Sequence, residues 1–332
     1  MTWGGAISRS LACMNSIFRS EPSAPLPRPA DAVHGPVELE VVHVTEYRYS
    51  SPVELAQHIA VLRPRDDAAQ QLLGFEMEIE PAPAQQHDDR DVYGNSRRVF
   101  TLTVSHQHLR VCATSRVRAH APARSDAAAL PWEACRAHWR YESGRPLDAA
   151  VEFTFPSTLV PHHAALRDWA LPSFPPGRGI DEAATELMHR LHADFTYAPH
   201  STEVGTPVLQ AFEQRRGVCQ DFAHVMIGSL RALGLSARYV SGYLLTEPPP
   251  GQPVLQGADA SHAWVAVAVP REDGSADWLE LDPTNDCEAG LTHVRLALGR
   301  DYADVTPLCG VIRGGGRHQL DVRVGTRVVP AA

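Results

Sequence analysis

A single helix, and the need to cover it, constrains this chain more than any other feature. Between Gly217 and Gly234, residues Phe222, Met226, Ile227, Leu230 and Leu233 recur at helical spacing, and Gly234 stands where a left-handed C-cap is expected. The pattern then changes period. SARYVSGYLL reads as a strand. SHAWVAVAVP sets His262, Trp264, Ala266 and Ala268 on one face and Val265, Val267 and Val269 on the other. WLELDPTN sets Trp278, Glu280 and Asp282 against Leu279 and Leu281. Helix first and then antiparallel strands predicts an α+β arrangement rather than a parallel βαβ one. Between the first two strands, EPPPGQPVLQGADA is a long Pro/Gly-rich loop suited to rimming a cleft.

Cys219 falls in the first turn of the helix, after a sharp turn at Gly217. The helix dipole and the unpaired backbone N–H groups there favour the thiolate. A cysteine alone is more often a small core residue, and a nucleophile needs a base and an orienting carboxylate. His262 near the start of one strand and Asp282 near the end of the next supply both types. Each has a plain structural alternative, His262 as a strand-end imidazole with a satisfied hydrogen bond and Asp282 as a turn cap before Pro283. Asp221 and His224 read as surface residues of the cysteine helix. A two-residue turn at Asp273-Gly274 would set Val265, not His262, opposite Asp282, so a longer turn or a bulge is predicted.

Upstream, the residues to about Gly35 are rich in Pro, Ala and Ser, and 1–36 reads as a disordered tail. From 37 to 122 the stretches VELEVVHVTEYRY, HIAVLRP, FEMEIEP, RRVFTLTV and LRVCATSRVRAH predict an antiparallel β-domain, with a hairpin turn at Gly94-Asn95. Residues 123–178 read as a connector with short helical pieces. A second domain then spans 179–332. It opens with a helix capped by Asp181, with Ala184, Leu187, Met188 and Leu191 inward, and a short helix over Val208–Gln214. It ends in a strand pair around LDVRVGTRVV.

Composition excludes several classes. A net charge of -9 without a basic tract argues against nucleic acid. No apolar run approaches the ~20 residues of a membrane span. The N-terminus lacks a signal-peptide pattern, which suggests a cytoplasmic protein, and Met14 offers a second start. The six cysteines are scattered, without CxxC pairs, and are expected as free thiols. His106/His108 and His162/His163 have no matching ligand cluster, and no DxDxDG loop is present, so neither metal nor cofactor is expected. All 30 basic residues are arginine, as a GC-rich genome would produce.

RGVCQDFAH, SHAWVAV and WLELDPTN resemble, in order and spacing, the Cys, His and Asp motifs of the bacterial transglutaminase-like proteins, within the transglutaminase/papain-like thiol superfamily. HVTEYRYSSPVELAQHIAVLRPR with DVYGN resembles that family's N-terminal β-domain, and GRDYADVTPLCG its C-terminal block. The resemblance implies a catalytic domain over 179–332 with Cys219 as nucleophile, His262 as base and Asp282 as orienting carboxylate. It implies an upstream aromatic that polarises the acyl oxygen, for which Tyr197 is the candidate; the alternative is a tyrosine packed beneath the helix. A protein or peptide substrate is expected, attacked at an amide through a thioester on Cys219. Water would make the chain a peptidase or amidase, and an amine a transglutaminase-type acyltransferase. The rival is a catalytically silent fold used for binding.

Overall fold

Alternating Val, Glu and Tyr residues build the longest element of the computed structural model, which describes residues 35–121, 130–141, 143–144, 148–199, 201–202, 204–245, 261–270 and 276–329. The tail reading for 1–36 and the Pro-rich loop over 247–260 therefore lie essentially outside the described residues. VELEVVHVTEYRY and HIAVLRP, two strands by pattern, form one 27-residue strand, β1 (Val37–Arg63). Pro52, which has no N–H to donate, lies where the ladders change hands. The first half of β1 pairs with β5 (His106–Ala119) and β14 (His318–Val328). The second half pairs with β4 (Ser96–Leu102) and β13 (Leu308–Gly314). β2 (Gln70–Glu80) flanks β5 and β3 (Gln85–Arg90) flanks β4, which completes a seven-stranded antiparallel sheet. Tyr47, Val53, Phe100, Leu102, Leu109 and Val111 form its core.

Two expectations about the chain's division change here. β13 and β14 fall within 179–332 by sequence but belong to the N-terminal sheet, where they satisfy the N–H and C=O groups on one edge of β1. The stretch expected as a connector is part of the second core. α1 (Trp132–His138) and α2 (Ala164–Ala170) bury Trp132, Cys135, Leu166 and Ala170 among the residues of the cysteine helix. The buried Arg231 guanidinium completes the tie by donating to the carbonyls of Phe153, Ala237 and Arg300.

The second half continues with α3 (Ile180–Asp194), β6 (Thr196–Tyr197), α4 (Val208–Gln214), β7 (Arg216–Gly217) and α5 (Cys219–Ala232). α3 starts one residue before the expected cap, with Gly179 at the N-cap, while Ala184, Leu187, Met188 and Leu191 face inward as read from the sequence. α5 ends as predicted. Gly234, at φ +82°, lets its N–H reach Arg231 and that of Leu235 reach Leu230, a Schellman close. β8 (Ala237–Leu244), β9 (His262–Pro270), β10 (Ala276–Asp282), β11 (Cys287–Glu288) and β12 (His293–Gly299) form an antiparallel sheet in the order β11-β10-β9-β8-β12. β12 had no counterpart in the sequence reading. Tyr239, Val265, Val267 and Leu281 pack with α5, and Val240, Trp264 and Ala266 form a separate cluster with Ala289 and Leu298.

The two sheets are bound by paired hydrogen bonds. Asn95 accepts from Leu298 N–H at 2.8 Å and donates to Leu298 O at 2.7 Å. Gln70 does the same with the backbone of Arg295. The hairpin loop between β3 and β4 spans 91–95 and includes the expected Gly94-Asn95, with Gly94 N–H bonded to Asp91 O and Asp91 N–H to Asn95 O.

Candidate active site

The register of β9 and β10 decides whether His262 and Asp282 can meet. Pro270 pairs with Ala276 and Val265 with Leu281, so five residues, 271–275, connect the paired ends instead of two. The expected turn at Asp273-Gly274 lies outside the described residues. Of the two irregularities predicted, the longer connection is present, and the paired stretch itself runs without a bulge. The shift is one residue relative to a two-residue turn. It sets even-numbered residues opposite even-numbered ones, so His262, Trp264, Glu280 and Asp282 share a face. His262 then reaches Asp282 diagonally, Nε2 to Oδ2 at 2.7 Å.

Asp282 is fully buried and saturated with donors. Oδ1 accepts the N–H groups of Thr284 at 3.0 Å and Asn285 at 3.2 Å. Oδ2 accepts from His262, from Asn285 Nδ2 at 2.6 Å and from His293 Nε2 at 3.2 Å. Burial opposes the carboxylate, but the charge and hydrogen bond of His262, with His293, hold its pKa far below the usual range. For His262, burial disfavours the cation. The Asp282 charge and hydrogen bond, with a contribution from Cys219, outweigh that and raise its pKa to about 10. Trp264 lies against the His262 ring, 6.1 Å between centroids at 30°, with its Nε1 donating to Glu280 at 2.9 Å.

Cys219 is the first residue of α5, as expected, and it lies near enough to His262 to contribute to raising the pKa of that ring. With Nε2 engaged by Asp282, Nδ1 is the ring nitrogen that could serve the sulfur. Sγ also lies 4.0 Å from the carbonyl oxygen of Ser261. The helix start is fixed from within. Asp221 Oδ2 accepts Val218 N–H at 2.8 Å and Thr202 Oγ1 at 2.6 Å. A side chain at position 217 would meet that carboxylate at 2.5 Å, so only glycine fits.

Asp221 and His224, expected at the surface, are buried, because α5 is enclosed from Gln220 to Arg231. His224 accepts Tyr302 N–H at 3.2 Å, and burial lowers its pKa to about 4. It is therefore a structural acceptor behind the cysteine. Tyr197 does not pack beneath the helix. It is 43% exposed, in the short β6 strand paired with Gly217, two residues before Cys219.

His262, Asp282 and His293 bring three potential ligand atoms within 4.8 Å of one another. The hydrogen bonds just described account for these approaches. Cys112, Cys135, Cys219, Cys287 and Cys309 are free thiols.

Residues 39–118 match the bacterial transglutaminase-like N-terminal region, and residues 175–283 the transglutaminase-like superfamily. The chain belongs to the bacterial transglutaminase-like proteins. An uncharacterized protein of Mycobacterium tuberculosis (strain H37Rv) is 41% identical over 294 residues, which cover 87% of this chain and 92% of that one. A Mycobacterium leprae counterpart is 32% identical, covering 86% and 97%. A shorter likeness, 34% over 102 residues, covers 30% of this chain and 15% of a protein-glutamine gamma-glutamyltransferase from Pseudomonas aeruginosa. The crystal structure named "a Putative Cysteine Protease from Cytophaga hutchinsonii" shares the fold, with TM-score 0.67 and 18% identity over 90% of this chain and 93% of that one.

The transglutaminase-like match ends at Pro283, so Asn285 and His293, both bonded to Asp282, lie beyond it. The sequence reading passed over both. LTHVRLALG carries a period-two pattern with a histidine at its start, the same signal that singled out His262.

Proposed function

We propose that the protein is a cysteine-dependent amide-bond enzyme that works through a thioester on Cys219. The observation that carries this reading is the 2.7 Å link from His262 to the buried Asp282 carboxylate, with Cys219 at the start of α5 and its sulfur 4.0 Å from the carbonyl oxygen of Ser261, the residue before His262. In the first half-reaction, the thiol gives its proton to His262, Sγ forms a bond to the carbonyl carbon and the π-electron pair moves to oxygen. As that pair returns, the C–N bond breaks and His262 passes the proton to the departing nitrogen. In the second, His262 takes a proton from the acceptor, whose lone pair attacks the thioester and releases the cysteine. Asp282 keeps the ring oriented and its cation stabilised throughout.

The Cys219 backbone N–H, in the first helical turn, is one donor for the developing oxyanion, and Tyr197 is the proposed second. Support for Tyr197 is its exposed position beside Gly217. The expected substrate is a protein or peptide carboxamide, in a reducing, cytoplasmic setting that keeps the thiols free. Water is the proposed acceptor, which makes the reaction a hydrolysis; an amine in its place would make it a transglutaminase-type transfer. The Pseudomonas aeruginosa relative carries a name of the transfer type and the Cytophaga hutchinsonii neighbour one of the protease type.

A glutamine-peptide assay with and without a primary amine tests the reading, following ammonia release and amine incorporation together. Ammonia release without incorporation supports hydrolysis, and stoichiometric incorporation supports transfer. Uniformly slow iodoacetamide labelling of every cysteine, with no turnover, would leave the fold as a silent binding module.

A further inference from the structure

We propose that His293 is a positioning residue for the Asp282–His262 pair, a role that rests on the thioester reading of Cys219. Gly290 N–H points at His293 Nδ1 at 3.2 Å, so Nδ1 is an acceptor and the ring proton sits on Nε2. That proton is directed at Asp282 Oδ2, 3.2 Å away, from a ring that is itself buried. Asp282 therefore receives two donors on Oδ1 and three on Oδ2. With both oxygens engaged, the carboxylate cannot rotate without abandoning a buried donor, and His262 meets one oxygen in one orientation.

His293 reaches the imidazole by a second route. Its ring stands edge-on to Trp264, 5.2 Å between centroids at 76°, and the other neighbour of Trp264 is His262. It thus braces the carboxylate by a hydrogen bond and the imidazole through the indole. No part of this depends on strand neighbours, since β8 and β9 separate β12 from β10 in the sheet order. The chain returns across the sheet, where Ala289 packs on Trp264, Val240 and Ala266, and delivers His293 to Asp282.

The test compares His293→Phe, which keeps a ring for Trp264 but deletes the donor, with His293→Gln, which retains an N–H. The readouts are the iodoacetamide rate of Cys219 at neutral pH, kcat and KM on a glutamine peptide, and Tm. The Phe variant is expected to lower the alkylation rate and kcat about tenfold with KM unchanged, the size of one hydrogen bond to a charged group. The Gln variant is expected to recover most of that loss. Wild-type rates in His293→Phe would overturn the proposal, as would equal losses in both variants that follow Tm. Should the Phe variant not fold, 15N imidazole spectra of the wild-type protein decide, with the His293 signal assigned by its loss in His293→Gln. A proton on Nε2 supports the proposal and a proton on Nδ1 overturns it. A wild-type protein that turns over no amide would sink the proposed reaction, while the alkylation series and the spectra still decide the role of His293.

Discussion

His43 and His58 in the β-domain are buried imidazoles and His262 in the second sheet is nearly so, yet they are held in opposite states. His43 contacts Tyr243 Oη at 3.0 Å and Thr45 Oγ1 at 3.1 Å, neutral groups that do not stabilise a cation, and burial lowers its pKa to about 4. His58, stacked on Phe100, is lowered to about 4 by burial, with His106 adding to the effect. His262 faces the same desolvation, but the Asp282 carboxylate reverses the outcome. Burial alone makes a histidine structural. Burial beside a fixed carboxylate makes it a held proton donor.

The largest effect expected on this contrast comes from deleting the group that His262 is proposed to serve. Cys219→Ala should abolish turnover, by about 10³-fold or more, while leaving the melting profile close to wild type. Substantial residual turnover would mean that another thiol does the work. Asp282→Asn should convert His262 toward the condition of His43, with kcat reduced on the order of 10²–10⁴-fold. It should also draw the alkaline limb of the pH–rate profile down from about 10. An unmoved limb would separate Asp282 from the behaviour of His262.

Stability should depend on pH with opposite signs for the two kinds of histidine. His43, His58 and His224 have folded-state values below the ordinary 6.5, so the unfolded chain binds their protons first. Their contribution is complete above pH 6.5 and is lost as pH falls through about 4. For His262 the folded value is raised, so its contribution is complete below pH 6.5 and is lost as pH rises through about 10. Denaturant titrations across this range should show His262→Gln flattening the alkaline slope and sparing the acid one. The reverse result would overturn the assignment. The smallest effect is expected at the join between the halves. Asn95→Ala removes both bonds to Leu298 and should destabilise by about 1–3 kcal/mol, with the two sheets still melting together. A split into two transitions would show that this one amide couples them.

The cysteine helix, its glycine stop and the two strands carrying His262 and Asp282 were legible because each is a local pattern. The division of the chain was less so. The strand pair expected around LDVRVGTRVV is the single strand β14, and β13 had no counterpart in that expectation; period-two alternation names a face and not a partner, and β1 had a free edge to take both. Asp221 and His224 were misread for a related reason. Polar residues on a helix normally mark its solvent face, and α5 has none from Gln220 to Arg231. Asp221 is polar because it closes the helix start, and His224 because it accepts the Tyr302 N–H.

Sequence alone established that Cys219 would open a helix and that His262 and Asp282 would lie on consecutive strands, since helical and period-two spacing are set by the backbone itself. It could not choose the register, because a one-residue change in the 271–275 connection turns one side chain away from the other. Nor could it identify the full set of donors on Asp282. Asn285 arrives through the local turn, but His293 comes from a strand separated from that of Asp282 by two others in the sheet, and its contact exists only once the chain has folded back across Trp264.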